Sequence, residues 1–223
     1  MPRRKSKKIL IYFLLFISLG TLSHNDFYEK NLIRLNQIII TGLDEKNNND
    51  LVNRLDYIRL NNLFFLEKTK IIEIINTNPL IEKYSVFINY PSTLNIKIEK
   101  TKFLAKVNKD GKSFFLGSNG KLMESFQIRN DLPSIYGDFN NENFFNLKKI
   151  IDESDISYEQ IKNLFFFKTG RWDIETHEGL LIKLPKNRVE KSIKLLIDFL
   201  DQNKEKKLNL VDLRQYNQIV INE

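Results

Sequence analysis

Residues 9–25 contain no Asp, Glu, Lys or Arg, and 9–22 are dominated by Ile, Leu and Phe. About 17 uncharged residues at roughly 1.5 Å each reach about 26 Å as a helix, enough for a thin hydrocarbon core. Arg3, Arg4, Lys5, Lys7 and Lys8 precede the run, and the first acidic residue, Asp26, follows it. Basic residues stay on the cytoplasmic side, so residues 1–8 read as a cytoplasmic tail and the rest of the chain as exported. The sequence therefore predicts a single N-terminal transmembrane anchor over 9–25. Its apolar residues are Ile9, Leu10, Ile11, Phe13, Leu14, Leu15, Phe16, Ile17, Leu19 and Leu22. A cleavable signal peptide shares this layout. A cleavage site after Ser23, with Thr21 and Ser23 as the small residues, fits that alternative; no Ala-x-Ala pattern is present and 14–22 is mostly bulky.

The formal charge of +7 could suggest an anionic partner, but the five cations before the apolar run account for most of it and leave +2. The basic residues are orientation signals, not a nucleic-acid arm. No nucleic acid is expected as a partner. With 42% hydrophobic and 28% charged residues, the exported part can build a core. Cysteine is absent, which excludes disulfides, thiolate metal sites and cysteine nucleophiles.

Periodicity divides the remainder. Residues 33–42 read as a strand ending at Gly42, and 45–50 as a polar loop. Asp50 is positioned to cap a helix with Leu51, Val52, Leu55 and Ile58 on one face. After a short apolar link at 63–66, a second helix carries Ile71, Ile74 and Ile75 and stops before Pro79. Residues 81–90 alternate, with Tyr84, Val86, Ile88 and Tyr90 on one side. After a turn at Pro91, Leu94, Ile96 and Ile98 form a half-buried strand. The order strand, helix, helix, strand, strand makes a small α+β layer.

The second half reads as short strands near 103–107, 113–116, 121–123, 160–167, 172–176, 180–184, 208–213 and 218–221. Turns at Asp110-Gly111, Asn119-Gly120 and Glu178-Gly179 separate some of them. A helix surrounds Phe144, Leu147 and Ile151. Another carries Val189, Ile193, Leu196 and Leu200 behind a capping box of Asn187 and Glu190. No internal repeat is present.

Catalytic patterns are missing. His177-Glu178 has Leu181 where a zinc helix needs a second histidine, and His24 is the only other histidine. His177 reads as an exposed hairpin residue. Gly117, Gly120 and Lys121 have the wrong spacing for a phosphate loop, and a hairpin turn explains them. Asp152, Glu153 and Asp155 read as solvated surface beside a helix end. Phe165, Phe166, Phe167 and Trp172 read as core or interface. No enzyme activity, cofactor, metal or small-molecule substrate is expected.

The ordered pattern resembles the bacterial cell-division family FtsQ/DivIB. The residues that carry the likeness begin with Ile38-x-Ile40-x-Gly42, then Pro79-Leu80-Ile81, Val86, Tyr90-Pro91, Leu94-x-Ile96-x-Ile98 and Ala105. They continue with Leu132-Pro133-x-x-x-Gly137, Gly170-Arg171-Trp172-Asp173, Gly179, Leu184-Pro185 and Val211-Asp212-Leu213-Arg214. Lys100, Phe103 and Val107 depart from the family's usual acidic, proline and tryptophan positions. The resemblance implies a POTRA domain (β-α-α-β-β) over 33–101 and a β-rich domain with two or more helices over 102–223. It also favours an anchor that is retained.

The resemblance further implies a divisome scaffold in the bacterial inner membrane, single-pass type II, with periplasmic C-terminal domains concentrated at the division septum. Its partners would be the lipid bilayer, FtsB and FtsL, with FtsK, FtsW and FtsI as further divisome contacts. In the family, FtsB adds a strand to the edge of the β domain. A last strand at 218–221 would have an uncovered outer edge, which invites such augmentation. Gln215, Tyr216, Asn217, Gln218, Ile219, Val220 and Ile221 are therefore the expected partner site. A proline at Val220 is expected to block it by removing a ladder N–H while leaving the exported domain folded. Two other readings are weaker. A POTRA-bearing periplasmic chaperone or secretion docking protein would need several POTRA repeats and a barrel. A periplasmic hydrolase would need convergent acid, base or metal groups.

Overall fold

The apolar N-terminal run forms helix α1, Ser6–Thr21, of 16 residues in this computed structural model. The structure describes residues 6–21, 34–59, 61–62, 66–124, 131–203 and 208–222. Of the expected 9–25 span, residues 22–25, Leu22 among them, lie outside the described residues, as do Arg3, Arg4, Lys5 and 63–65 of the apolar link. The side chains from Ile9 to Ile17 are exposed around the whole helix. Among the described residues no helix is long and apolar enough to cross a membrane.

The chain divides into two compact units, Met1–Ile75 with Ser85–Lys97 and Asn76–Tyr84 with Ile98–Glu223. In the first, strand β1 (Gln37–Thr41) alternates and buries Ile38 and Ile40. Helix α2 (Glu45–Leu55) buries Leu51 and Leu55, and a single 3-10 turn (Asp56–Ile58) buries Ile58. Helix α3 (Lys68–Thr77) buries Ile71 and Ile75, four residues apart on one face, with the half-buried Ile74 three residues after Ile71. Strands β2 (Ile81–Asn89) and β3 (Thr93–Lys100) follow; residues 76–84 and 98–100, at the end of α3, the start of β2 and the end of β3, are counted in the second unit. The sheet order is β1-β3-β2. β1 runs parallel to β3, with Ile38 beside Leu94 and Ile40 beside Ile96. The two intervening helices provide the crossover that a parallel pair requires.

Two expectations need correction here. Residues 45–50 are helical, and the cap is Asp44, whose side chain accepts from the Asn47 N–H, not Asp50. The first turn and a half of α2 has no apolar face of its own, so periodicity missed it. The alternation along β2 is half realised: Tyr84 and Ile88 are half-buried, while Val86 and Tyr90 are exposed.

Among the described residues, the second unit is built on nine strands: β4 (Phe103–Lys109), β5 (Lys112–Gly117), β6 (Leu122–Glu124), β7 (Ser134–Tyr136), β8 (Ile161–Phe166), β9 (Trp172–Thr176), β10 (Leu181–Lys183), β11 (Leu210–Asp212) and β12 (Val220–Asn222). Their spatial order is β12-β11-β10-β9-β8-β7-β4-β5-β6. Helices α4 (Asn141–Asp152) and α5 (Val189–Gln202) supply Phe144, Leu147, Ile151, Ile193 and Leu196 to the core. One line of register crosses most of the sheet and ends in that core: Ile221, Val211, Ile182, Ile174, Leu164, Ile135 and Val107. Burial of such side chains stabilises by about 1.5–3 kcal/mol each.

Strand β7 was not expected. It is three residues long and follows Pro133, yet it lies in mid-sheet, parallel to β4 on one side and β8 on the other. The capping box of Asn187 and Glu190 does not form. Arg188 occupies the N-cap in a left-handed conformation (φ 64°) without a side-chain cap hydrogen bond. Helix α5 thus begins one residue later than the capping-box pattern requires, and Glu190 is one position too early to reach back.

Within this unit, Asn119 joins two stretches of chain. Its amide N–H groups donate to the carbonyls of Pro79 (2.9 Å) and Ile81 (2.8 Å), and its Oδ1 accepts from the Lys121 N–H (3.0 Å). Ser118 donates to Glu82 at 2.7 Å, and buried Thr101 donates to the same carboxylate at 3.1 Å.

Candidate functional site

The expected partner-binding residues fall on one end of the nine-stranded sheet. Gln215, Tyr216, Asn217 and Gln218 are exposed and precede β12. Asn217 takes a left-handed conformation (φ 52°) in the turn. Ile219 and Ile221 are half-buried and pack on the core, whereas Val220 is 50% exposed. The expected strand at 218–221 is thus displaced to Val220–Asn222. Asn222 belongs to it, and Gln218 does not.

Strand β12 is last in the spatial order and pairs only with β11 among the described strands. Ladder alternation decides which main-chain groups remain open. β11 runs parallel to β10, with the Leu181 N–H donating to the Asn209 carbonyl and the Leu213 N–H to that of Lys183. That pattern turns the N–H and C=O of Val211 toward β10. Leu210 and Asp212 therefore face β12, where their partners are Asn222 and Val220. It follows that Val220 is engaged in the sheet, while Ile221 directs its N–H and C=O to the outer edge. A proline at Val220 would therefore disturb the sheet itself, which corrects the expectation that this change would act on a partner alone.

The turn that leads into β12 is held by charge. Arg214 Nε donates to both carboxylate oxygens of Asp212, at 2.8 and 2.9 Å, and its main-chain N–H donates to Oδ1 at 3.0 Å. The guanidinium beside Asp212 holds that carboxyl below its ordinary value. Arg188 lies over the ring of Tyr216, 4.7 Å from guanidinium carbon to centroid. Sequence reading missed Arg188. Its approach to Tyr216 joins the start of α5 to the turn before β12, and no local spacing encodes it.

The sheet face that carries Val220 bears a charged row. Asp212 lies opposite Val220, Lys183 beside Asp212, and Asp173 opposite Lys183. Asp173 is 4% exposed, and burial pushes its carboxyl up against the opposing pull of Arg171, Lys183 and Arg214. Its Oδ1 and Arg171 Nε are buried without hydrogen-bond partners and lie 3.7 Å apart. His177 is exposed in the turn between β9 and β10.

Comparison with known proteins matches two stretches of the chain to family models. Residues 33–100 match the POTRA domain of FtsQ type, and residues 105–214 match the C-terminal domain of the cell division protein FtsQ/DivIB. The second match ends at Arg214, so residues 215–222 lie beyond it. Among solved structures, the chain is similar to the major extracytoplasmic domain of the trans isomer of the bacterial cell division protein DivIB from Geobacillus stearothermophilus. That similarity is at 12% identity with a TM-score of 0.34, and covers 48% of this chain and 98% of that one. No curated protein matches the chain.

Proposed function

The chain belongs to the FtsQ/DivIB family of non-enzymatic cell-division scaffolds, and from that premise we propose that it captures FtsB- and FtsL-like proteins by accepting a partner strand on the outer edge of β12. The observation that carries this reading is the outward N–H and C=O of Ile221 at the end of the sheet. Such an edge offers main-chain hydrogen bonds to an extended peptide. Beside it, Val220 and Tyr216 expose apolar surface at 50% and 69%. The partner site in this reading comprises Gln215, Tyr216, Asn217, Gln218, Ile219, Val220 and Ile221. FtsK, FtsW and FtsI are further contacts in the same assembly.

The domain scheme of the proposal is a POTRA domain over 33–101 and a β domain over 102–223, held at the outer face of the inner membrane by an anchor at 9–25. The uncharged composition of that segment and the cations before it support the anchor. A fluorescent reporter fused to the full chain should collect at midcell, and depletion should give filaments. Uniform envelope labelling together with normal division on depletion would contradict the proposal.

A further inference from the structure

A groove of about 560 Å³ adjoins the turn that precedes β12. One wall is the first half of α5 and the loop before it; the other is the turn, through Gln215, Tyr216 and Asn217. Its charge is one-sided. Lys186, Arg188, Lys191, Lys194 and Arg214 line it, against a single carboxylate, Asp198. Arg214 is committed to Asp212, and Arg188 rests on Tyr216. Lys186, Lys191 and Lys194 are exposed and make no ion pair among the described residues. The groove therefore presents these cations beside Leu195 and Leu213, which also line it.

Its position matters as much as its charge. The outward main-chain groups of Ile221 and the ring of Tyr216 are five residues apart in sequence, on a continuous path. An added strand advances about 3.3 Å per residue, so a few residues past the Val220 end it reaches the groove. We propose that the groove receives an acidic peptide segment that directly flanks the strand added at β12. This rests on the strand-addition reading above and gives it a charge preference. The main-chain ladder tolerates many sequences, whereas unpaired lysines beside it select for carboxylates and against basic flanks.

The test uses the full chain in detergent micelles and synthetic peptides as probes. The peptides share an alternating Val/Thr strand and carry four glutamates or four glutamines at the end beside Val220; each is made with the tail at either terminus. At low ionic strength the glutamate peptide should bind at least about ten-fold more tightly, an advantage that high salt screens. Lys191→Glu with Lys194→Glu should remove that advantage without weakening the glutamine peptide. Equal affinities in the unmodified protein, including no binding of either peptide, overturn the proposal, as does an advantage that survives the double reversal. Equal affinities with lysine-dependent binding of polyphosphate overturn it in favour of a phosphate polymer. Ile221→Pro separates the two layers. If it weakens both peptides and the glutamate advantage is absent from the unmodified protein, the groove fails and strand addition stands. If it weakens neither, strand addition fails and the proposal falls with it.

Discussion

Ile221 lies opposite Val211 in the last pair of the nine-stranded sheet, with its side chain toward the core and its main-chain polar groups toward the open edge. Packing and partner capture can therefore be separated at one residue. Val220, one position earlier, is engaged with Asp212 in the ladder.

Ile221→Pro removes the outward N–H and should abolish strand capture while the second unit stays folded. Val220→Pro removes a ladder N–H within the sheet and should lower stability as well. Circular dichroism melts beside pull-downs with the FtsB-like partner distinguish the two. A larger loss of melting temperature in Ile221→Pro than in Val220→Pro would show that the ladder phase is reversed.

Gly137 adopts φ 101°, and a Cβ there would lie 2.1 Å from the carbonyl oxygen of Phe166. The backbone of Phe166 belongs to β8 and cannot retreat without moving the sheet. Gly137→Ala should destabilise by about 1–3 kcal/mol from conformation alone, with the clash added. Chemical denaturation measures it, and a change below about 0.5 kcal/mol, the size of an ordinary surface substitution, would contradict the geometry.

Asn119→Ala leaves the carbonyls of Pro79 and Ile81 and the Lys121 N–H without their side-chain partner. A cost of about 1–3 kcal/mol is expected. A fragment beginning at residue 76 should melt higher than one beginning at 102, which lacks Pro79, Ile81 and Glu82.

Asp173→Asn should stabilise the protein at neutral pH. Burial raises the folded-state value of this carboxyl above its unfolded value, so the folded form favours the proton. The wild-type residue thus favours folding most at acidic pH, and that contribution is lost as pH rises through the folded value. The neutral amide does not ionise, so its advantage should shrink as the solution is acidified. Denaturation midpoints of both proteins across pH 3–8 test this, and an advantage that grows toward acid would reverse the assignment.

Much of this fold is legible from periodicity. Leu94, Ile96 and Ile98 alternate as a buried strand does, and Ile193 and Leu196 mark the inner face of α5. What escaped reading has no apolar periodicity of its own. Strand β7 offers only Ile135 as a buried residue between two exposed or half-exposed neighbours, and it is a strand because β4 and β8 enclose it. The start of α2 depends on Asp44 and Asn47, not on an apolar face. At the candidate site, the alternation of Ile219 and Ile221 was readable, but the outward direction of the Ile221 main chain depends on the phase set by β10. The basic groove likewise forms because the fold brings Tyr216 to Arg188 across the intervening strand and helix.

The central claim is that a partner strand pairs with Ile221. Hydrogen exchange at the Ile221 amide, measured in the full chain alone and co-purified with its FtsB-like partner, tests it most directly. An outward, unpaired N–H should exchange quickly in the free protein and be strongly protected in the complex, while the Val220 amide is protected in both. An Ile221 amide that is protected in the free protein, or that stays unprotected in the complex, would contradict the account.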